Sequence, residues 1–195
     1  MDSNFETVNK PRQPIEPETV SPSLFAHFVV RSSNLPAMRE WYRTVLAARV
    51  VFENDYICFL TYDDEHHRAA IVNVPGLHAA DAESWGLTHL AYGYKTLRQL
   101  LSTYRRLKGE GILPYRPINH GPTTSLYYRD PDGNNIELQV DNFATKEEAA
   151  RYFLSEAFRK NPIGVAFDPE ELVKAYEAGV PEGELVRRPA ATAKA

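Results

Sequence analysis

The sequence predicts an α+β fold in which two βαβββ units follow one another and a helical extension completes the chain. Three observations predict it: residues 125–140 read as a β-hairpin, the order strand, helix, three strands occurs twice, and two helix-capping patterns follow the second occurrence. In the hairpin the turn is Asp130-Pro131-Asp132-Gly133-Asn134, where Pro131 presets φ and Gly133 accepts a positive φ. In the strand after it, Ile136, Leu138 and Val140 share one face, while Asn135, Glu137 and Gln139 share the other. If the apolar face packs on helices, Glu137 points to the opposite side of the sheet.

Residues 1–22 carry Pro11, Pro14, Pro17 and Pro22 among polar neighbours and read as an N-terminal arm. Residues 23–143 hold the paired units. Leu24–Arg31 is a strand, and Asn34 caps a helix from Leu35 to Leu46 with Pro36 in its permissive first turn. Strands follow at Ala48–Glu53, Tyr56–Tyr62 and His67–Val74, then a loop over Pro75–Trp85. The order restarts with a strand at Leu87–Tyr92, a helix over Lys95–Lys108 stopped by Gly109–Gly111, and strands near Leu113–Pro117, Thr123–Arg129 and Asn135–Val140. Sliding one unit on the other by 62 residues puts His27 on His89 and Tyr42 on Tyr104 without a gap, which points to a duplicated unit.

Residues 144–186 differ in kind. Thr145-Lys146-Glu147-Glu148 is a capping box, and Ala150, Phe153, Leu154, Ala157 and Phe158 follow at helical spacing. Asp168-Pro169-Glu170-Glu171 opens a second, short helix that Gly179 ends. These two helices are expected to pack on the outer sheet face or to cover a cavity mouth. Residues 187–195 read as a disordered tail.

Bulk properties narrow the function. A chain of 195 residues, 43% hydrophobic and 25% charged, can bury a core of its own. A net charge of −4 argues against a nucleic-acid binder or a partner for anionic membranes, either of which needs a basic surface. No apolar run spans a bilayer and no signal-peptide core stands at the N-terminus, so a cytoplasmic protein is expected. Cys58 sits in the apolar run Tyr56-Ile57-Cys58-Phe59-Leu60 and reads as a buried small hydrophobe. The run Asp63-Asp64-Glu65 reads as a solvated turn and His78 as a surface residue.

Two histidines stand on strands suited to reach the Glu137 face: Ala26-His27-Phe28 and Thr88-His89-Leu90. Together with Ile136-Glu137-Leu138 and the hairpin Tyr127-Tyr128-Arg129-Asp130-Pro131-Asp132-Gly133, these residues make the chain resemble the vicinal oxygen chelate superfamily over residues 22–143. Within it the chain is most similar to the type I extradiol (ring-cleaving) catechol dioxygenases, whose better-known members carry two such paired modules where this chain has one. The resemblance implies a half-open mixed β-barrel and a metal site of His27, His89 and Glu137. It also implies Fe(II) as the metal, with Mn(II) as a substitute, and O₂ as co-substrate. Two imidazoles and one carboxylate occupy one face of an octahedral Fe(II) and leave places for substrate and dioxygen. A tetrahedral structural zinc site would usually take four ligands, cysteines among them.

The same resemblance assigns His67 to proton handling, and Tyr127 and His120 to positioning a small aromatic diol. A glyoxalase-like isomerase would need a further ligand near Ala70, inside Arg68-Ala69-Ala70-Ile71-Val72, where there is no carboxylate. The alternatives are another metal-dependent isomerase or lyase of the superfamily, and a metal-free binding protein of the same fold. A homo-oligomer is expected.

Overall fold

A computed structural model of the chain describes residues 16–79 and 85–189. Apolar spacing sets its two long helices. In α1 (Leu35–Leu46) the buried stripe is Leu35, Met38, Tyr42 and Val45, and Asn34 Oδ1 accepts from the Ala37 N–H as the N-cap. In α2 (Leu97–Gly109) it is Leu97, Leu100, Leu101, Tyr104 and Leu107, with Thr96 as the N-cap. Burying a leucine of this kind contributes about 1.5–3 kcal/mol.

Each helix lies in a βαβββ unit. The first holds β1 (Phe28–Ser32), β2 (Arg49–Glu53), β3 (Ile57–Thr61) and β4 (Ala69–Asn73) in the order β1-β4-β3-β2, with β1 and β4 parallel. The second holds β5 (Leu90–Tyr94), β6 (Arg116–Asn119), β7 (Thr123–Arg129) and β8 (Asn135–Asp141) in the order β5-β8-β7-β6, with β5 and β8 parallel. The duplication extends to register: Val29 pairs with Ala70 as Ala91 pairs with Glu137. Both sheets are open, and β1 and β5 are outer strands.

The two units share one core. Phe28, Leu60 and Ile71 of the first sheet join Leu126, Tyr128, Ile136 and Leu138 of the second, together with the inward faces of both helices. The hairpin turn locks the units together. Asp130 Oδ1 accepts from the Asp132 and Asn134 N–H groups, while Oδ2 accepts from the Tyr42 hydroxyl of α1 at 2.9 Å. Gly133 takes φ 87°, as that turn requires.

The extension is more broken than its pattern suggests. It forms α3 (Lys146–Phe153), α4 (Glu156–Lys160), β9 (Val165–Ala166), α5 (Pro169–Glu177) and α6 (Glu182–Leu185). The expected single helix divides at Ser155, whose hydroxyl caps α4 by accepting from the Phe158 N–H. Instead of lying on a sheet face, β9 pairs with β6 at the sheet edge, and α5 packs against α2 through Val173 and the Tyr104–Glu170 hydrogen bond. Arg188, expected in the tail, donates to the His120 carbonyl and the Tyr152 hydroxyl; residues 190–195 lie outside the described residues.

Strand starts also move. Residues 24–27 stand outside β1, because the Phe25 and Ala26 carbonyls accept from the Arg68 side chain rather than from a strand. Residues 16–22 of the expected arm are exposed and carry no regular structure, while residues 1–15 lie outside the described residues.

Candidate active site

Alternation along β8 places Glu137 on the face away from the core, and register builds the rest of the site around it. Ala91 of β5 lies on one side of it and Tyr127 of β7 on the other. His89 directly precedes β5, on the same side of the sheet as Ala91, and its Nε2 stands 3.0 Å from Glu137 Oε2. Glu137 is only 4% exposed although it carries a carboxylate. A buried carboxylate needs a cation or strong donors close by. Its neighbours are one half-exposed imidazole, a phenol and a second imidazole, His120, with Nε2 4.0 Å from Oε1. That donor set suits a divalent ion held by nitrogen and oxygen.

His120 and Tyr127 form a directed pair. His120 Nδ1 contacts the Ile163 carbonyl, and its Nε2 lies 2.9 Å from the Tyr127 hydroxyl. A carbonyl only accepts, so Nδ1 carries the proton. In the neutral ring Nε2 then accepts from Tyr127 O–H. Burial lowers the His120 pKa, opposed by the Ile163 carbonyl and Glu137, which favours this neutral form. Burial, and after it Glu137, pushes the Tyr127 pKa up, so the phenol keeps its proton.

The extension supports this pair closely. Gly121, at φ 102°, leaves room for the Tyr152 ring, which would lie 2.2 Å from an added Cβ. Gly164 takes φ 111° with the Asn119 carbonyl 2.4 Å from where a Cβ would lie, which holds Ile163 over His120.

The first sheet carries the remaining histidines. The rings of His27 and His67 lie 4.3 Å apart, and His67 stacks on Phe59 at 4.6 Å. His66 Nδ1 is 2.5 Å from His67 Nδ1. Burial, then the neighbouring His27 and His66, lower the His67 pKa. The sequence put Phe59 and Phe52 on strands but not beside the candidate site residues. Register supplies them, since Phe59 stands opposite Ala70 on the face of Val29.

The structure therefore gathers His89, Glu137, Tyr127 and His120 on the second sheet, and His27 with His67 on the first. Among the described residues no three His, Cys, Asp or Glu side chains converge as a metal site, and His27 is not among the contacts of Glu137. Cys58 is buried and its thiol is pushed up to about 11, chiefly by burial, in line with a structural role. His78 is exposed.

This fold and its histidine–carboxylate face define a class. The model of the glyoxalase/bleomycin resistance protein/dioxygenase superfamily matches residues 24–138, and the chain belongs to that superfamily. Within it, the chain is 51% identical over 172 residues to biphenyl-2,3-diol 1,2-dioxygenase 3 of Rhodococcus globerulus, covering 87% of this chain and 90% of the relative. It is 49% identical to biphenyl-2,3-diol 1,2-dioxygenase 2 of the same organism, covering 80% of this chain and 83% of the relative. One pair of units thus spans most of these relatives, so carrying one pair is no departure from them.

Among solved structures, a glyoxylase/bleomycin resistance protein/dioxygenase domain from Frankia sp. EAN1pec superposes with a TM-score of 0.52 at 19% identity, over 62% of this chain and 99% of that one. Likeness at that identity shows the shared fold. No helix among the described residues is long and apolar enough to cross a membrane.

Proposed function

We propose that the chain is an extradiol dioxygenase, an oxidoreductase that opens an aromatic diol with O₂. The reading is carried by the buried Glu137 paired with His89 beside Tyr127, in a chain half identical to two biphenyl-diol dioxygenases. In the reaction the C–C bond beside the diol breaks and both atoms of O₂ enter the product. His89 and Glu137 would hold the metal; His27, the third ligand that the resemblance implies, lies beside His67 on the first sheet and does not meet them among the described residues. When bound, Fe(II), or Mn(II) in its place, supplies the electron relay between diol and O₂.

The protein's own groups do the rest. Tyr127 donates its proton toward His120, which leaves its oxygen able to accept from a substrate O–H. A proton arriving at Tyr127 can pass to His120 Nε2, which the Ile163 carbonyl keeps in the accepting tautomer. His67, held neutral by its surroundings, takes the second substrate proton. The buried floor around Glu137 excludes bulk water from the diol. One buried cysteine suits the reducing cytoplasm.

Anaerobic loading with Fe(II), followed by biphenyl-2,3-diol or a simple catechol and O₂, tests the reading. The expected result is a yellow ring-opened product with one O₂ consumed per diol. Turnover of a carbonyl substrate with zinc and no oxygen uptake would make the chain an isomerase or lyase. Absence of bound metal and of turnover would make it a binding protein.

A further inference from the structure

The backbone of His120 is held from two sides. Its N–H donates to the Thr123 carbonyl at 2.9 Å, and its carbonyl accepts from the Arg188 side chain at 3.2 Å. The ring still has a choice. With the proton on Nδ1, Nε2 accepts from Tyr127; with the proton on Nε2, the ring donates toward Tyr127 and Glu137. An N–H aimed at a carboxylate is attracted and a lone pair is repelled, so Glu137 favours the second form. In that form the Tyr127 hydroxyl turns to its other neighbour, Glu137. The Ile163 carbonyl, which only accepts, opposes it by claiming a proton on Nδ1.

That carbonyl is one backbone group of an exposed residue, so whatever pins it decides where the Tyr127 hydroxyl points. On the far side β9 pins it, since Val165 pairs with Asn119. On the near side Asn161 does so with both polar atoms of its side chain. Asn161 Oδ1 accepts from the Ile163 N–H at 3.2 Å and from the Gly164 N–H at 2.9 Å. Asn161 Nδ2 donates to the Gly164 carbonyl at 2.8 Å. The Gly164 N–H and the Ile163 carbonyl belong to the same planar peptide and point in opposite directions. Holding the N–H at Asn161 therefore aims the carbonyl away from Asn161 and at His120.

We infer that Asn161 is a positioning residue for ring cleavage. It holds the Ile163–Gly164 peptide with its carbonyl on His120 Nδ1, which keeps the Tyr127 proton on the His120 side and off Glu137. Asn161 acts only through that peptide. The inference rests on the roles proposed for Tyr127 and His120.

Magnetic resonance of the metal-free protein carrying nitrogen-labelled histidine reads the tautomer directly, with the His120 signals assigned by their loss in His120→Gln. In the wild type the proton sits on Nδ1, and in Asn161→Ala a large share of it moves to Nε2. Oxygen uptake by iron-loaded Asn161→Ala gives a kcat lower by roughly 3- to 10-fold, the worth of one hydrogen bond between neutral groups, at a KM within about twofold of wild type. Asn161→Asp keeps the oxygen that both amides use, and restores the tautomer and most of the rate. Placed on Tyr127→Phe, Asn161→Ala costs no more than about twofold, because the hydroxyl it directs is gone. Ser155→Ala uncaps α4 without touching the turn and changes neither reading. An unchanged tautomer in Asn161→Ala, a loss that adds in full to that of Tyr127→Phe, or an equal loss in Ser155→Ala overturns the inference and leaves the ring-cleavage reading intact. A wild type that shows the tautomer switch but takes up no oxygen with biphenyl-2,3-diol or catechol upholds the positioning and defeats the reading. Asn161→Ser, whose shorter side chain cannot keep all three bonds, repeats the measurement if the alanine variant does not fold.

Discussion

The two sheets share topology and register yet carry opposite chemistry. Where the second sheet has the row Ala91, Glu137, Tyr127, Arg116, the first has Val29, Ala70, Phe59, Phe52. A carboxylate faces an alanine, and a tyrosine faces a phenylalanine. The duplicated unit thus supplies a scaffold twice, while the acid and the phenol occur on one copy only. Each fold copy still keeps a histidine at the mouth of its first strand, His27 or His89. The difference separates a face that carries a carboxylate and a phenol from one that carries an apolar row.

The hardest test of this division is Glu137→Ala, which makes the second row resemble the first. It should remove bound metal and lower activity on the order of 10³-fold or more, because a metal centre supplies several kcal/mol of transition-state stabilisation. Metal content and oxygen uptake check it, with circular dichroism to show that the sheet survives. Unchanged metal content would mean that the carboxylate is merely a buried structural group.

A reciprocal pair sharpens the comparison. Tyr127→Phe should retain metal and slow turnover roughly 10- to 100-fold, the worth of one hydrogen bond to a charged or reacting oxygen at about 1.5–3 kcal/mol. Phe59→Tyr, the matching change on the other sheet, should stay within about threefold of wild type, since less than 1 kcal/mol is at stake. Equal losses in both variants would erase the distinction between the two faces.

Much of this was readable from residues. Strand alternation put Glu137 on the face away from Ile136 and Leu138, and the 62-residue offset paired His27 with His89. The empty position at Ala70 was also visible, and register confirms it as the counterpart of Glu137. Alternation, though, fixes a side chain relative to its own sheet and not relative to another sheet. That is why His27 and Glu137 could be placed on faces but not brought into contact. The extension was harder still. The Ile163 carbonyl that sets the His120 tautomer is a backbone group, positioned by Gly164 at φ 111° and by β9, and a two-residue strand has no periodicity to detect.

The joint between the units gives a stability test. Tyr42 is fully buried, and its hydroxyl donates to Asp130 in the hairpin turn. Tyr42→Phe leaves that carboxylate oxygen one donor short, at a cost of about 1–3 kcal/mol. The heat-unfolding midpoint should fall by roughly 2–4 °C for each kcal/mol lost in a domain of this size. The counterpart hydroxyl, Tyr104, bonds to the partly exposed Glu170 of α5, so Tyr104→Phe should cost less. A larger loss at Tyr104 would move the stabilising joint from the hairpin to the extension.

The smallest effect concerns acid. His27, His66 and His67 crowd the first sheet, and burial together with the two neighbouring imidazoles holds the His67 pKa below 6.5. A lowered histidine pKa means that the unfolded chain binds its proton more readily than the folded one. The contribution of His67 is therefore fully present above pH 6.5, and is lost as pH falls through its lowered folded value. The metal-free protein should show a falling unfolding midpoint over that window, and His67→Phe should flatten part of the slope because it removes one of the clustered charges. His67 is not one of the assigned ligands, although its ring lies 4.3 Å from that of His27, so His67→Phe should leave the metal content of the loaded protein unchanged. A slope that stays the same in His67→Phe would place the acid sensitivity elsewhere and remove the electrostatic part of the contrast between the two faces.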